Sequence, residues 1–191
     1  MFGSWGQRAG SVSGAHSGGQ RRLNIWNIGC IAKVNRAMKE YRITKYNPQS
    51  RVGGVFTGDE WTSFGDIGKS FNNIQFTYEM YQKTENAYID CCIEILNKAF
   101  VETLSVEQVE YYMEGISFPS TVSDIGEIRQ IISACLREQC WLKLTAKDFF
   151  IHFGYDYYMY IGSVLPAATV EEIAVRHGLF CELYQSPYHA M

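Results

Sequence analysis

The feature that most constrains the fold is a change of hydrophobic period along the chain. From about Tyr78 to Phe100, Tyr81, Tyr88, Cys92, Ile95, Leu96 and Ala99 recur at helical spacing, with Thr77 placed as an N-cap. From Trp141 onward the pattern alternates instead. Trp141–Leu144 and Phe149–Ile161 read as strands joined by a turn over Thr145–Asp148, which makes an antiparallel hairpin. A long amphipathic helix must bury its stripe, and half-buried strands offer a face for it. The expected class is therefore α+β: a mostly antiparallel sheet packed against a long central helix and shorter helices.

Local signals fill in the rest. Tyr41–Tyr46 alternates, is rich in aromatic and β-branched residues, and stops at Asn47-Pro48, which predicts a strand followed by a loop through Gly53-Gly54. Ser63-x-x-Asp66 has capping-box spacing, so a short helix is expected from Phe64, ending at Gly68. Ser105-x-x-Gln108 predicts another short helix, containing Val109 and Tyr112. Pro119 and Ser120 then break the chain before a helix over Asp124–Glu138, with Ile125, Ile128, Ile132, Cys135 and Leu136 on one face. Thr169-Val-Glu-Glu172 is a full capping box opening a helix that Gly178 closes, with Arg176 and His177 in its last turn. Leu179–Tyr184 reads as a final strand.

Charge divides the chain. Residues 1–37 carry five basic residues and no acid, leaving 12 basic against 20 acidic residues in the remainder, a net of −8. The first 20 residues hold six glycines and four serines, too little apolar surface to offset ordering. Residues 30–41 offer only a narrow apolar face, through Ile31, Val34, Met38 and Tyr41. Residues 1–37 are thus expected to be a disordered or weakly structured basic leader. A second reading is that translation begins at Met38 and the leader is upstream sequence. Residues 38–191 are expected to form one domain.

An acidic body repels a phosphate backbone, so nucleic acid is a poor partner. No run of about 18 apolar residues exists to cross a membrane, and Asn24 and Asn27 interrupt the one stretch resembling an export signal. Of the six cysteines, Cys91 and Cys92 are adjacent in a helical pattern and no Cys-x-x-Cys pair exists, so free thiols are expected, with no metal and no cofactor. A cytoplasmic setting fits.

Three segments could carry chemistry. Asp59-Glu60-Trp61-Thr62-Ser63 gathers two carboxylates, an indole and two hydroxyls before a helix N-terminus. Glu60, Trp61, Asp59 and Ser63 are candidate binding residues, against the plainer reading of a capped loop with one buried Trp. Gly68-Lys69-Ser70 ends like a phosphate-binding loop, but Ser63 stands where that loop requires glycine. In Ile151–Ile161, taken as one strand, His152, Gly154, Asp156, Tyr158 and Tyr160 share a polar, aromatic face suited to recognition. His152 and Asp156 would then stand about 13 Å apart, too far for a dyad unless a bulge at Gly154 intervenes. The plainer reading is a sheet face covered by the long helix.

Arg42-Ile-Thr-Lys-Tyr-Asn-Pro48, Glu60-Trp-Thr-Ser63 with Asp66-Ile-Gly68, His152-Phe-Gly-Tyr-Asp-Tyr157, and His177-Gly-Leu-Phe180 through Ser186-Pro-Tyr188 together resemble blocks shared by a group of small, functionally uncharacterised bacterial proteins. The resemblance covers about residues 38–188 and implies a compact cytoplasmic domain starting near Met38. It brings no catalytic residues with it.

Two functions compete. One is a noncatalytic binding protein, an immunity-like acidic protein sequestering a basic protein partner, since acidic surfaces steer basic partners. The other is a small hydrolase or transferase using Asp59, Glu60, His152 and Asp156 around one cleft. Convergence of those groups separates the two.

Overall fold

The computed structural model describes residues 37–189 except 53 and 54. The leader apart from Ala37, Cys30 and the Gly53-Gly54 loop tip lie outside the described residues. The α+β class holds. A seven-stranded antiparallel sheet runs in the order β11-β1-β10-β9-β8-β6-β7. Its strands are β1 (Lys39–Thr44), β6 (Leu104–Tyr111), β7 (Thr121–Val122), β8 (Cys140–Ala146), β9 (Phe149–Phe153), β10 (Tyr158–Ser163) and β11 (Phe180–Leu183). Two small hairpins, β2 (Arg51–Val52) with β3 (Val55–Phe56) and β4 (Ser70–Phe71) with β5 (Ile74–Gln75), lie between β1 and the first helix.

Three helices, α1 (Tyr78–Lys98), α2 (Ile125–Leu136) and α3 (Ala167–Arg176), share one hydrophobic core with one face of the sheet. Pairing fixes that face: Tyr41, Ile161, Ile151, Leu144 and Val106 stand opposite one another across five strands. Thr77 caps α1 by accepting from Met80 N, and Asp124 caps α2 by accepting from Glu127 N. Polar anchors tie the helices together: Arg129 of α2 pairs with Asp90 of α1, and Arg176 and His177 at the end of α3 reach Glu94 of α1. Among the described residues no helix is long and apolar enough to cross a membrane.

Three expectations fail in instructive ways. The segment read as a short helix from Ser105 is strand β6, Leu104–Tyr111: Leu104 and Val106 alternate into the core, and pairing with β8 outweighs the cap-like Ser105. The pairing with β8 is interrupted by a bulge between Glu107 and Glu110, with Gln108 at φ 52°. Helix α3 begins at Ala167 behind Pro166, so Thr169 lies within its first turn and the capping box is not used. Phe149–Ile161 is not one strand but two, β9 and β10, folded back through Gly154–Tyr157.

Candidate functional site

That fold-back walls a cavity. Tyr158 N donates to Tyr155 O at 3.1 Å, and the two residues between, Asp156 and Tyr157, have φ of 55° and 59°. The Gly154 N bond to Tyr158 O adds an extra residue on the β9 side, and two positive φ values at the centre of a four-residue turn match the I′ pattern, usually supplied by Asn and Gly. A tyrosine accepts it because its ring is locked in place. Tyr157 packs edge-on to Trp61, Tyr81 and Tyr88, and its hydroxyl donates to Leu136 O at 3.1 Å. Gly154 is demanded by space: a Cβ there would sit 2.8 Å from Tyr158 O.

The turn walls one side of a cavity of about 510 Å³ at the end of the sheet where β8 starts and β9 meets β10. Tyr112, Trp141, Phe153, Tyr155, Tyr157 and Tyr158 give it aromatic walls, while Glu138, Asp156, Cys135 and Cys140 add polar groups. Tyr112 and Tyr155 stand exposed at the mouth, at 55% and 76%. Trp141 is held by its indole N–H donating to Phe153 O at 2.8 Å. The Glu138 carboxyl is pushed up by desolvation and then by the negative charges of Asp66 and Asp156. Asp66 is already engaged by Lys69 at 2.7 Å. At the back wall the Cys135 and Cys140 sulfurs are 3.7 Å apart. The Cys135 thiol hydrogen bond holds the Cys140 thiol below its usual range, and burial pushes Cys135 well above it.

The predicted site residues separate into three places. Asp156 is exposed in the turn, and Tyr158 lines the cavity half-buried, with the Arg42 guanidinium 5.2 Å from its ring. His152 and Tyr160 are directly opposed on β9 and β10 and do share a face, but both are buried, at 3% and 7%. The long helix is not what covers them. Helix α1 lies against the other face, and this one is closed by the C-terminal segment, whose Tyr188 clusters with Phe150 and Tyr160.

Beneath that segment His152 Nδ1 lies 2.8 Å from Ser186 Oγ, and its ring stacks on Phe150 at 4.1 Å. Ser186 Oγ also accepts from Tyr188 N at 3.3 Å, so the hydroxyl ties the ring to the chain end. Desolvation, then the charges of Lys143 and His189, bring the His152 pKa down to about 4. Ser186 N in turn donates to Glu40, which also holds His189 at 2.8 Å. These bonds fasten the chain end to the sheet.

The third group is the loop before α1. Asp59 accepts from Asn72 N at 2.8 Å, and Glu60 pairs with Lys45 at 3.1 Å. The amides of Thr62 and Ser63 donate to Asp66, as the capping spacing implied. Trp61 stacks on Phe76 at 4.3 Å, with the Lys45 ammonium 4.2 Å from its ring. Asp59, Glu60 and Trp61 are thus already engaged within the fold. Among the described residues Asp59 and Glu60 share no hydrogen-bond partner with His152 or Asp156, so the contacts do not join the four around one cleft.

Sequence reasoning missed Tyr112, Glu138, Trp141 and the two cysteines of the cavity, because they come from a strand edge, a helix end and a strand start. Only the Tyr155-Asp156-Tyr157 run signalled the place. No family model matches the chain, and neither does any curated protein or solved structure.

Proposed function

We propose that the chain is a noncatalytic binding protein, acting in the cytoplasm, that captures a basic protein partner by taking a Lys or Arg side chain into the cavity at the sheet end. One observation carries this reading: aromatic walls and the carboxylates of Glu138 and Asp156 meet in a single opening. Aromatic faces attract a desolvated cation, and carboxylates complete the match. The exposed Tyr112 and Tyr155 add the kind of rim that interfaces favour, and the net charge of −8 beyond residue 37 would steer a basic partner toward it. An immunity-like role is the form of this function that the charge balance suits best. The hydrolase or transferase reading has less support, since His152 is buried under the chain end and Asp59 and Glu60 are occupied.

Titration with a lysine- and arginine-rich peptide, followed through the Trp141 indole NMR signal, tests the reading. Asp156→Asn keeps the turn chemistry while removing the charge, and Glu138→Gln does the same at the opposite wall. Together they are expected to weaken binding about tenfold or more with an unchanged unfolding midpoint. Equal affinity in the double variant, or no peptide-induced shift of Trp141, overturns it.

A further inference from the structure

Cys135 lies in the last turn of α2 and Cys140 opens β8. The chain between them reverses through Glu138 at φ 58°, with Glu138 N donating to Cys135 O and Gln139 N to Ala134 O, both at 3.0 Å. This tight connection leaves two thiols 3.7 Å apart on the wall of the aromatic cavity. Structural thiols are ordinarily inert when buried singly in a core. Cys135 and Cys140 are 8% and 2% exposed, yet both line an opening of about 510 Å³ and each has the other as a resolving partner.

We propose that Cys135 and Cys140 form a redox-active dithiol that reduces low-molecular-weight disulfides entering the cavity, cationic ones in preference to anionic ones. The Cys140 thiolate attacks one sulfur of the incoming disulfide, forming a mixed disulfide and expelling the first small thiolate, which takes a proton from water. Cys135 then gives its proton to solvent and attacks the Cys140 sulfur, forming the Cys135–Cys140 bond and expelling the second thiolate, which is protonated in turn. Two protein thiols lose two electrons, and one small disulfide becomes two thiols.

Closing the bond from 3.7 Å to the usual length of about 2.05 Å needs the sulfurs to approach by about 1.7 Å, a movement that side-chain rotation and a small shift of the connection supply. Cys140 is assigned as the attacking group because its contact with Cys135 holds its thiol below the usual range, whereas burial pushes Cys135 up. The preference for cations follows from Glu138 and Asp156 at the same opening. It uses those carboxylates but requires no protein partner.

The full chain incubated with cystamine, alkylated and digested with trypsin, provides the test. Cleavage after Arg129, Arg137 and Lys143 places the two cysteines on separate peptides, so a disulfide between them appears as one linked pair. That pair is expected from the folded chain, formed about tenfold faster or more with cystamine than with oxidised glutathione. Cys135→Ser should instead accumulate cysteamine on Cys140, and Cys140→Ser should react at Cys135 about tenfold more slowly or less. A linked pair found only in urea, no linked pair at all, or equal rates for the two single variants overturns the proposal. Basic-peptide affinity of the reduced chain is measured separately, so failure of the dithiol and failure of the binding reading stay distinct.

Discussion

Glu85 shows how one charge can be carried inside a helix packed in the core. It is 2% exposed, yet both its oxygens are met by Arg137 at 2.7 Å, with Tyr81 and Ser133 hydroxyls donating to Oε1. Removing the cation strands the carboxylate, which costs far more than the pair contributes. Arg137→Met is therefore expected to lower unfolding free energy by about 3 kcal/mol in urea titrations. A loss under about 1 kcal/mol would show that water replaces the guanidinium.

His152 makes the complementary case of a group kept neutral. Its folded pKa of about 4 lies below the unfolded value of about 6.5, so the unfolded chain binds the extra proton first as pH falls. Stability is therefore present above about pH 6.5 and drains away toward pH 4, by about 3 kcal/mol from this residue. The groups facing it are Ser186, Phe150, His189, Lys143 and Glu40. Denaturation of the wild type and of His152→Asn across that window checks this: the variant should lose the corresponding part of the slope.

At the scale of elements, the β9–β10 hairpin decides where the cavity is. Gly154→Ala forces a Cβ to 2.8 Å from Tyr158 O, a backbone atom that cannot swing aside. A loss of about 2 kcal/mol is expected from thermal or chemical unfolding. Asp156→Asn, two residues on, should leave stability within about 0.5 kcal/mol, because Asn tolerates positive φ as well and Asp156 is exposed. The contrast separates a residue required by space from one free to serve a ligand.

For the molecule as a whole, the two faces of the sheet have different covers. Three helices bury one face, while on the other Phe150, Tyr160 and His152 rely on a few residues after Tyr184. A chain ending at Tyr184 is expected to keep its helical signal, lose several kcal/mol of stability and let the His152 pKa rise from about 4 toward about 6.5, as rehydration removes the cause of its shift. Histidine titration by NMR checks this, and an unmoved His152 would mean that the sheet itself, not the chain end, keeps water out.

The sequence by itself determined the α+β class, the extent of α1 with its Thr77 cap, most of α2 and the start of the Asp66-capped turn, because these follow from periodicity and from hydrogen bonds within a few residues. His152 and Tyr160, read as sharing a face of one strand, do share a face, but only because the hairpin register sets them directly opposite each other. Only the tertiary structure decided that this face is closed by Ser186 and Tyr188, that Phe149–Ile161 folds back, and that Ser105–Tyr111 extends. In each case the deciding partner lies far along the chain, 34 residues away for the His152–Ser186 bond, and a local pattern carries no trace of it. The cavity is legible in the sequence only through its turn, because its other walls become neighbours when β6, α2 and β8 are packed together.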